Sequence, residues 1–262
     1  MGYLHEGHLR LVDRARELAD RVVVSVFINP LQFGPAEDLA RYPRDLPHDR
    51  ELAAARAVEC LFVPDAAAMY PGGAEPVARV VGGPVADTLE GAARPGHFAG
   101  VLTVVTKLFH IVEPDVAVFG RKDFQQAMLV KRLVRDLDFP VTLDVAPTVR
   151  ELDGLALSSR NTYLSPDERR SALALSRALR TLEQTWRNGE ADPARLQKAG
   201  LEALRGRDVT PEYCALVDED VRPVSRVTAH TVAVVAARVG KTRLIDNVVL
   251  GEGIGADPRV SP

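Results

Sequence analysis

Apolar positions fall along this chain in two rhythms. The runs Arg21-Val-Val-Val-Ser-Val-Phe-Ile28, Glu59-Cys-Leu-Phe-Val63, Asp115-Val-Ala-Val-Phe119 and Pro140-Val-Thr-Leu-Asp-Val-Ala146 are short and mostly β-branched or aromatic. Such runs predict strands, and the near-continuous first run, Arg21–Ile28, predicts one buried on both faces of a parallel sheet. Between them the spacing turns helical, with Leu9, Leu11, Val12, Ala15 and Leu18 on one stripe, and further helices near residues 49–58 and 98–112. Strand and helix in regular alternation predict an α/β fold, a Rossmann-like doubly wound parallel sheet.

The pattern changes after Val149. A polar, glycine-containing loop runs from Glu151 to Asn161. The stretch Ser165-Pro-Asp-Glu168 then opens a long helix, with Ser165 as cap, Pro166 in the first turn and Glu168 closing a capping box. A second helix is expected at residues 193–204, and strand-like runs follow at 213–217, 231–237 and 243–250. Helices followed by closely linked strands predict a smaller C-terminal α+β domain. The expected division is residues 1–149 for the parallel-sheet domain, 150–251 for the second domain and 252–262 for a flexible, Gly- and Pro-containing tail.

Composition narrows the function classes. Apolar residues make up 46% and charged residues 26% of 262, ordinary for a globular chain with room for two cores. A formal net charge of -3 gives no support for bulk binding to nucleic acid or an anionic membrane. No apolar run is long enough to cross a bilayer. The cysteines, Cys60 and Cys214, lie far apart in apolar runs. They are expected to be buried thiols in a reducing cytoplasm rather than a disulfide.

Candidate chemistry collects where strands or loops give way to helices. In Met1-Gly-Tyr-Leu-His-Glu-Gly-His8 the histidines His5 and His8 are three apart at the opening of the first helix. That spacing puts them on one face, where unpaired backbone N–H groups and the helix dipole attract anions. Read alone, the stretch fits a phosphate site, a solvated surface pair or, less well, a zinc pair, since the spacing is not His-Glu-x-x-His. Asn29 and Gln32 follow the first strand at the edge where ligands of open α/β sheets bind, a place ordinary turn residues also occupy. Gly120-Arg-Lys-Asp123 repeats the strand–glycine–helix arrangement, with Lys122 and the amides Gln125 and Gln126. A polar stretch holds Asp38, Tyr42 and Arg44, and the loop of the second domain holds Ser158, Ser159 and Arg160. This set of imidazoles, amides, hydroxyls and cations lacks an evident activated nucleophile. It suits stabilisation of a charged phosphate transition state.

The first of these motifs resembles the "HIGH" signature of the nucleotidyltransferase superfamily, and Leu157-Ser-Ser-Arg-Asn161 resembles its "KMSKS" counterpart. Within that superfamily, Phe27-Ile-Asn-Pro-Leu-Gln-Phe-Gly34, Tyr42-Pro-Arg44, Arg94-Pro-Gly-His-Phe-Ala-Gly100, Phe119-Gly-Arg-Lys-Asp-Phe-Gln-Gln126 and Pro147-Thr-Val-Arg150 resemble the pantoate–β-alanine ligases. The resemblance runs in order from Met1 to about Gly251. It implies ATP and Mg²⁺, pantoate and β-alanine as small-molecule substrates, a pantoyl-adenylate intermediate, and release of AMP and pyrophosphate. It places ATP on Met1, Gly2, Tyr3, Leu4, His5, Glu6, Gly7 and His8, on Gly120, Arg121, Lys122 and Asp123, and on Val149, Leu157, Ser158, Ser159 and Arg160. His5, His8, Lys122, Ser158, Ser159 and Arg160 would be catalytic, with Gln32, Gln126 and Asn29 for pantoate and β-alanine. The second domain would act as a lid, the assembly would be a homodimer, and neither nucleic acid nor membrane is implied.

Three departures shape the expectation. Family members usually carry a strand and a helix before the histidine motif. The sheet is therefore expected without its first strand, through a start further upstream or a shortened chain. Leu157 stands where methionine is common, a swap of similar volume, and Arg121 where an acidic or neutral residue is common. Two rivals follow. One is another member of the superfamily, opposed by the acidic balance and by Gln32 and Gln126 in their contexts. The other is a non-catalytic nucleotide-binding protein, opposed by intact His8, Lys122 and Ser158-Ser159-Arg160.

Overall fold

The computed structural model describes residues 2–34, 39–73 and 78–255. Met1, Asp38 and residues 256–262 of the expected tail lie outside the described residues. The chain divides into two compact units. The first comprises Met1–Gly120 and Gln125–Ala146, and the second comprises Arg121–Phe124 and the chain from Pro147 onward. The change of unit falls after Ala146, where the sequence reading puts its boundary after residue 149. The transfer of Arg121–Phe124 to the second unit was not expected.

The first unit alternates as its hydrophobic pattern requires. It runs α1 (Glu6–Leu18), β1 (Val23–Ser25), α2 (Leu46–Ala55), β2 (Cys60–Phe62), the short α3 (Ala66–Met69) and α4 (Glu90–Ala93), α5 (His97–Val112), β3 (Val116–Gly120), α6 (Phe124–Asp136) and β4 (Thr142–Ala146). Phe98, Val101, Leu102 and Val105 from α5 share one buried cluster with Leu129, Val130 and Leu133 from α6 and with Met69 and Tyr70. Each such buried side chain contributes about 1.5–3 kcal/mol. Arg14 of α1 grips Asp144 of β4 through two hydrogen bonds of 2.9 and 3.1 Å.

The strands are parallel, in two pairs: β1 with β2 and β3 with β4. Two expectations change here. The run 21–28 yields a strand of only three residues, and Val23 is 40% exposed rather than buried on both faces. Cys60, expected to be buried, is exposed. Both accord with sheets that, among the described residues, are two strands wide. An apolar run sets β propensity but not how many neighbours a strand acquires.

The second unit runs α7 (Pro166–Arg187), α8 (Pro193–Leu204), β5 (Val209–Val217), β6 (Val232–Val239) and β7 (Thr242–Val249). The capping box of α7 forms as expected: Ser165 Oγ accepts from the Glu168 N–H, and the Glu168 carboxylate accepts from the Ser165 N–H. The three strands make an antiparallel sheet in the order β5-β6-β7. Gly240, at φ 55°, opens the two-residue turn between β6 and β7. Leu175, Leu179 and Leu182 of α7 and Leu196 and Leu204 of α8 cover Ala233, Val235 and Ala237 of β6. Close approach of α8 to β5 requires Gly200, where a Cβ would lie 2.6 Å from Cys214 Sγ. Strand β5 begins before the expected residue 213, because a bulge between Pro211 and Tyr213 breaks the alternation that would reveal it.

Candidate active site

The first unit presents its histidines as the sequence requires. His5 is the N-cap of α1, in extended conformation, and His8 lies one turn in. Their rings stack with centroids 4.0 Å apart. The backbone N–H of His5 donates to His8 Nδ1 over a long 3.4 Å. The contact turns the Nδ1 edge of the His8 ring toward the backbone, at a helix N-terminus suited to anions.

What holds this loop is a residue that the motif does not contain. Asp49 of α2 is 1% exposed, and its carboxylate accepts from the N–H groups of Tyr3 at 2.9 Å and Leu4 at 2.5 Å. Tyr3 sits at φ 52°, a left-handed conformation that costs a non-glycine residue energy. Two charge-assisted bonds from one buried carboxylate stabilise that bend. Gly2 lies against the end of β1, where a Cβ would come within 3.4 Å of Val26.

Asn29 and Gln32 form a second cluster. Asn29 is 2% exposed, and its Nδ2 donates to Gln32 Oε1 at 3.2 Å and to the Gly100 carbonyl at 3.0 Å. Its Oδ1 accepts from the Leu31 N–H and from the Tyr70 hydroxyl. With its amide protons and oxygen all bonded to the protein, Asn29 orients Gln32. Gly100 is needed here, since a Cβ on it would lie 2.3 Å from the Leu31 carbonyl oxygen.

The Gln32 carbonyl accepts from Arg94 at 3.2 Å and bonds His97 Nδ1 at 2.8 Å, while Arg94 bonds His97 Nε2 at 3.0 Å. Arginine only donates and a carbonyl only accepts, so His97 is neutral with its proton on Nδ1. Of the two adjacent amides in α6, Gln125 is buried. It donates to the carbonyls of Val85 and Thr88 and accepts from the Glu90 N–H. Gln126, about 100° further round the helix, is half-buried.

In the second unit, residues 121–123 form a 3₁₀ turn rather than the expected start of an α-helix. Both carbonyls of Arg121 and Lys122 accept from Asn247 Nδ2. The Arg121 guanidinium ion-pairs with Glu252, and Lys122 Nζ lies 3.6 Å from Asp123. The loop before Ser158 is closed by the Leu157 N–H donating to the Val149 carbonyl and by an antiparallel bridge between Arg150 and Ala156. Ser158 caps the 3₁₀ turn Ser159–Tyr163, its Oγ accepting from the Arg160 N–H at 3.3 Å.

Beneath the loop, Arg150 meets Asp246 of β7 in a bidentate pair of two 2.7 Å bonds, both residues 3% exposed. Strand β7 packs against both turns, so Lys122 and the Ser159–Arg160 segment share one support. Asp49, Tyr70, Asp246 and Asn247 are functional residues that the sequence motifs do not mark, and Arg150 stands in one of the resembling motifs without a role assigned to it. Polar type inside an apolar pattern is a signal for Asp246 and Asn247 within the β7 run.

Sequence and fold comparisons place the chain among known proteins. The profile of the pantoate-beta-alanine ligase family matches residues 1–249. The chain belongs to that family. It is 52% identical to a pantothenate synthetase of Moorella thermoacetica over 95% of this chain and 88% of that one. A crystal structure of the pantothenate synthetase of Thermus thermophilus superposes with a TM-score of 0.91 at 51% identity, covering 95% and 91% of the two chains. A Francisella tularensis pantoate-beta-alanine ligase, solved in complex with an ATP species and β-alanine, gives a TM-score of 0.77 at 33% identity, covering 97% and 89%. Family membership removes the rival superfamily member. Among the described residues no helix is long and apolar enough to cross a membrane, and no group of three metal-ligating side chains is assembled.

Proposed function

We propose that this protein joins pantoate to β-alanine at the expense of ATP. An oxygen of the pantoate carboxylate attacks the α-phosphorus, the bond to the bridging β-phosphate oxygen breaks, and pyrophosphate leaves. The β-alanine amine then attacks the acyl carbon, the acyl–oxygen bond breaks, AMP departs and the nitrogen loses a proton. The observation that carries this reading is the family match over residues 1–249.

The residue roles follow from the donors present. His8 donates to phosphate oxygens as charge moves onto the departing pyrophosphate, with His5 stacked beside it. Lys122 and Arg160 offset triphosphate charge, and Ser158 and Ser159 add hydroxyl donors. Gly2 to Gly7, Gly120, Arg121, Asp123, Val149 and Leu157 contribute backbone and contact surface to ATP. Arg121, paired with Glu252, serves mainly through its main chain. Gln32 and Gln126 hold pantoate through amides that both donate and accept, and Asn29 fixes the pose of Gln32.

A donor set of imidazole, ammonium, guanidinium and hydroxyl fits phosphate oxygens rather than a dedicated cation cage. Mg²⁺ would be carried on the phosphates, where it neutralises charge. Closure of the Leu157–Arg160 loop over bound nucleotide would keep water from the acyl adenylate. The setting proposed is the cytoplasm and the assembly a homodimer, which sedimentation of the purified protein would check.

The test is ATP–pyrophosphate exchange without β-alanine, with and without pantoate. Exchange that requires pantoate is the expected result. Its absence in a protein shown to be folded would overturn the reading in favour of a non-catalytic nucleotide binder. His8→Ala should lower the exchange rate by about two or more orders of magnitude, as for loss of one transition-state donor. Near-wild-type exchange in that variant would remove the role assigned to His8.

A further inference from the structure

The turn that carries Lys122 is only three residues long, lies between a strand and a helix, and exposes two successive carbonyls to a single side chain. Asn247 Nδ2 donates to the Arg121 carbonyl at 2.8 Å and to the Lys122 carbonyl at 2.7 Å. The two protons of one amide diverge at a fixed angle, so bonding both carbonyls sets the orientation of the turn as well as its position. Asn247 is 3% exposed. Its Oδ1 is buried and has no hydrogen-bond partner among the described residues. Rotating the amide would turn that oxygen onto two carbonyl oxygens, so the side chain is locked with both donors on the turn. A buried acceptor left unmatched costs energy, and here the cost accompanies a specific grip.

The grip has a rigid base. Next along β7, Asp246 takes the bidentate bond from Arg150, and Arg150 also donates to the Asn247 carbonyl at 3.0 Å and the Gly154 carbonyl at 3.1 Å. Neighbouring residues of a strand point to opposite faces. Strand β7 therefore fixes the loop leading to Ser158 with one residue and the Lys122 turn with the next.

We propose that Asn247 is a positioning residue for Lys122, holding the turn so that the ammonium meets the nucleotide phosphates. This rests on the ligase reading above, in which Lys122 offsets triphosphate charge. Asn247→Asp keeps the shape and replaces both donors by oxygen. Asn247→Ser, which keeps one donor, is the milder companion should the first variant not fold.

The decisive experiment is a double-mutant cycle on pantoate-dependent exchange. Lys122→Met should lower kcat at least tenfold more in the wild-type background than in an Asn247 variant, whose Lys122 is already misplaced. His8→Ala should keep its full effect in both backgrounds. Equal Lys122→Met effects in the two backgrounds, or wild-type exchange in folded Asn247→Asp, would overturn the proposal.

Amide hydrogen exchange without substrate gives a second readout. Residues 121–126 should exchange at least tenfold faster in the variant while 209–217 stay protected, and an unchanged rate at 121–126 would sink the anchoring role. If the wild-type protein shows no pantoate-dependent exchange, the ligase reading falls and the role in the reaction with it. Hydrogen exchange still decides whether Asn247 holds the turn.

Discussion

Two loops carry most of the candidate chemistry, and they are held in different ways. The histidine loop of the first unit is bent through a left-handed Tyr3 and tied down by one carboxylate, Asp49, which accepts two backbone N–H bonds. The segments of the second unit, with Lys122 and Ser158 to Arg160, are held by the network of Arg150, Asp246 and Asn247 on β7. In the first case a buried charge meets neutral donors. In the second it meets an opposite charge, and the neighbouring amide does the holding. Each loop therefore fails in its own way. Neutralising Asp49 releases one bend, whereas removing one partner of the Arg150–Asp246 pair strands the other charge in the interior.

The largest expected effect breaks the second arrangement. Asp246→Ala leaves the Arg150 guanidinium buried without its partner and should cost about 3–5 kcal/mol of stability, read from urea unfolding of the purified protein. A loss under about 1 kcal/mol would show that the pair is not the support described. Asp49→Ala comes next. It removes two charge-assisted bonds from a strained loop, and about 3 kcal/mol is expected, with pantoate-dependent exchange reduced in the protein that remains folded. If stability falls and exchange per folded molecule does not, Asp49 supports the fold without shaping the histidine site.

The comparison also explains what could be read in advance. Alternating apolar runs located the parallel strands, and the Ser165–Glu168 box located the start of α7, because these signals are local. His5 and His8 were legible for the same reason, since three residues along a helix decide their proximity. Asp49 was not, because it reaches Tyr3 and Leu4 across 45 or more positions, and nothing near it in sequence marks the contact. Nor was the transfer of Arg121–Phe124 to the second unit, which is coupled through Asn247 more than a hundred positions away. Strand β1 is shorter than its apolar run for the opposite reason. Eight consecutive positions favour extended chain, but among the described residues the strand register with β2 covers three of them. Local preference names the element, and long-range pairing sets its length.

The smallest expected effect sharpens the first unit's side of the comparison. The Tyr70 hydroxyl donates 2.8 Å to Asn29 Oδ1, and Asn29 in turn orients Gln32. Tyr70→Phe should cost about 1 kcal/mol, the net worth of one buried hydrogen bond, and should raise the KM for pantoate more than it lowers kcat, because Gln32 loses its brace. Burial pushes the Tyr70 hydroxyl up to about 12 from its ordinary value of 10.0. The folded state thus holds this proton more tightly than the unfolded chain. Its contribution to stability is fully present below pH 10 and is lost as pH rises toward 12. Denaturant midpoints between pH 9 and 11.5 should fall more steeply in wild type than in Tyr70→Phe, so that the two curves converge at the alkaline end. Parallel curves would mean that Tyr70 ionises as freely in the folded protein as outside it, and that the brace on Asn29 is not held by a protonated hydroxyl.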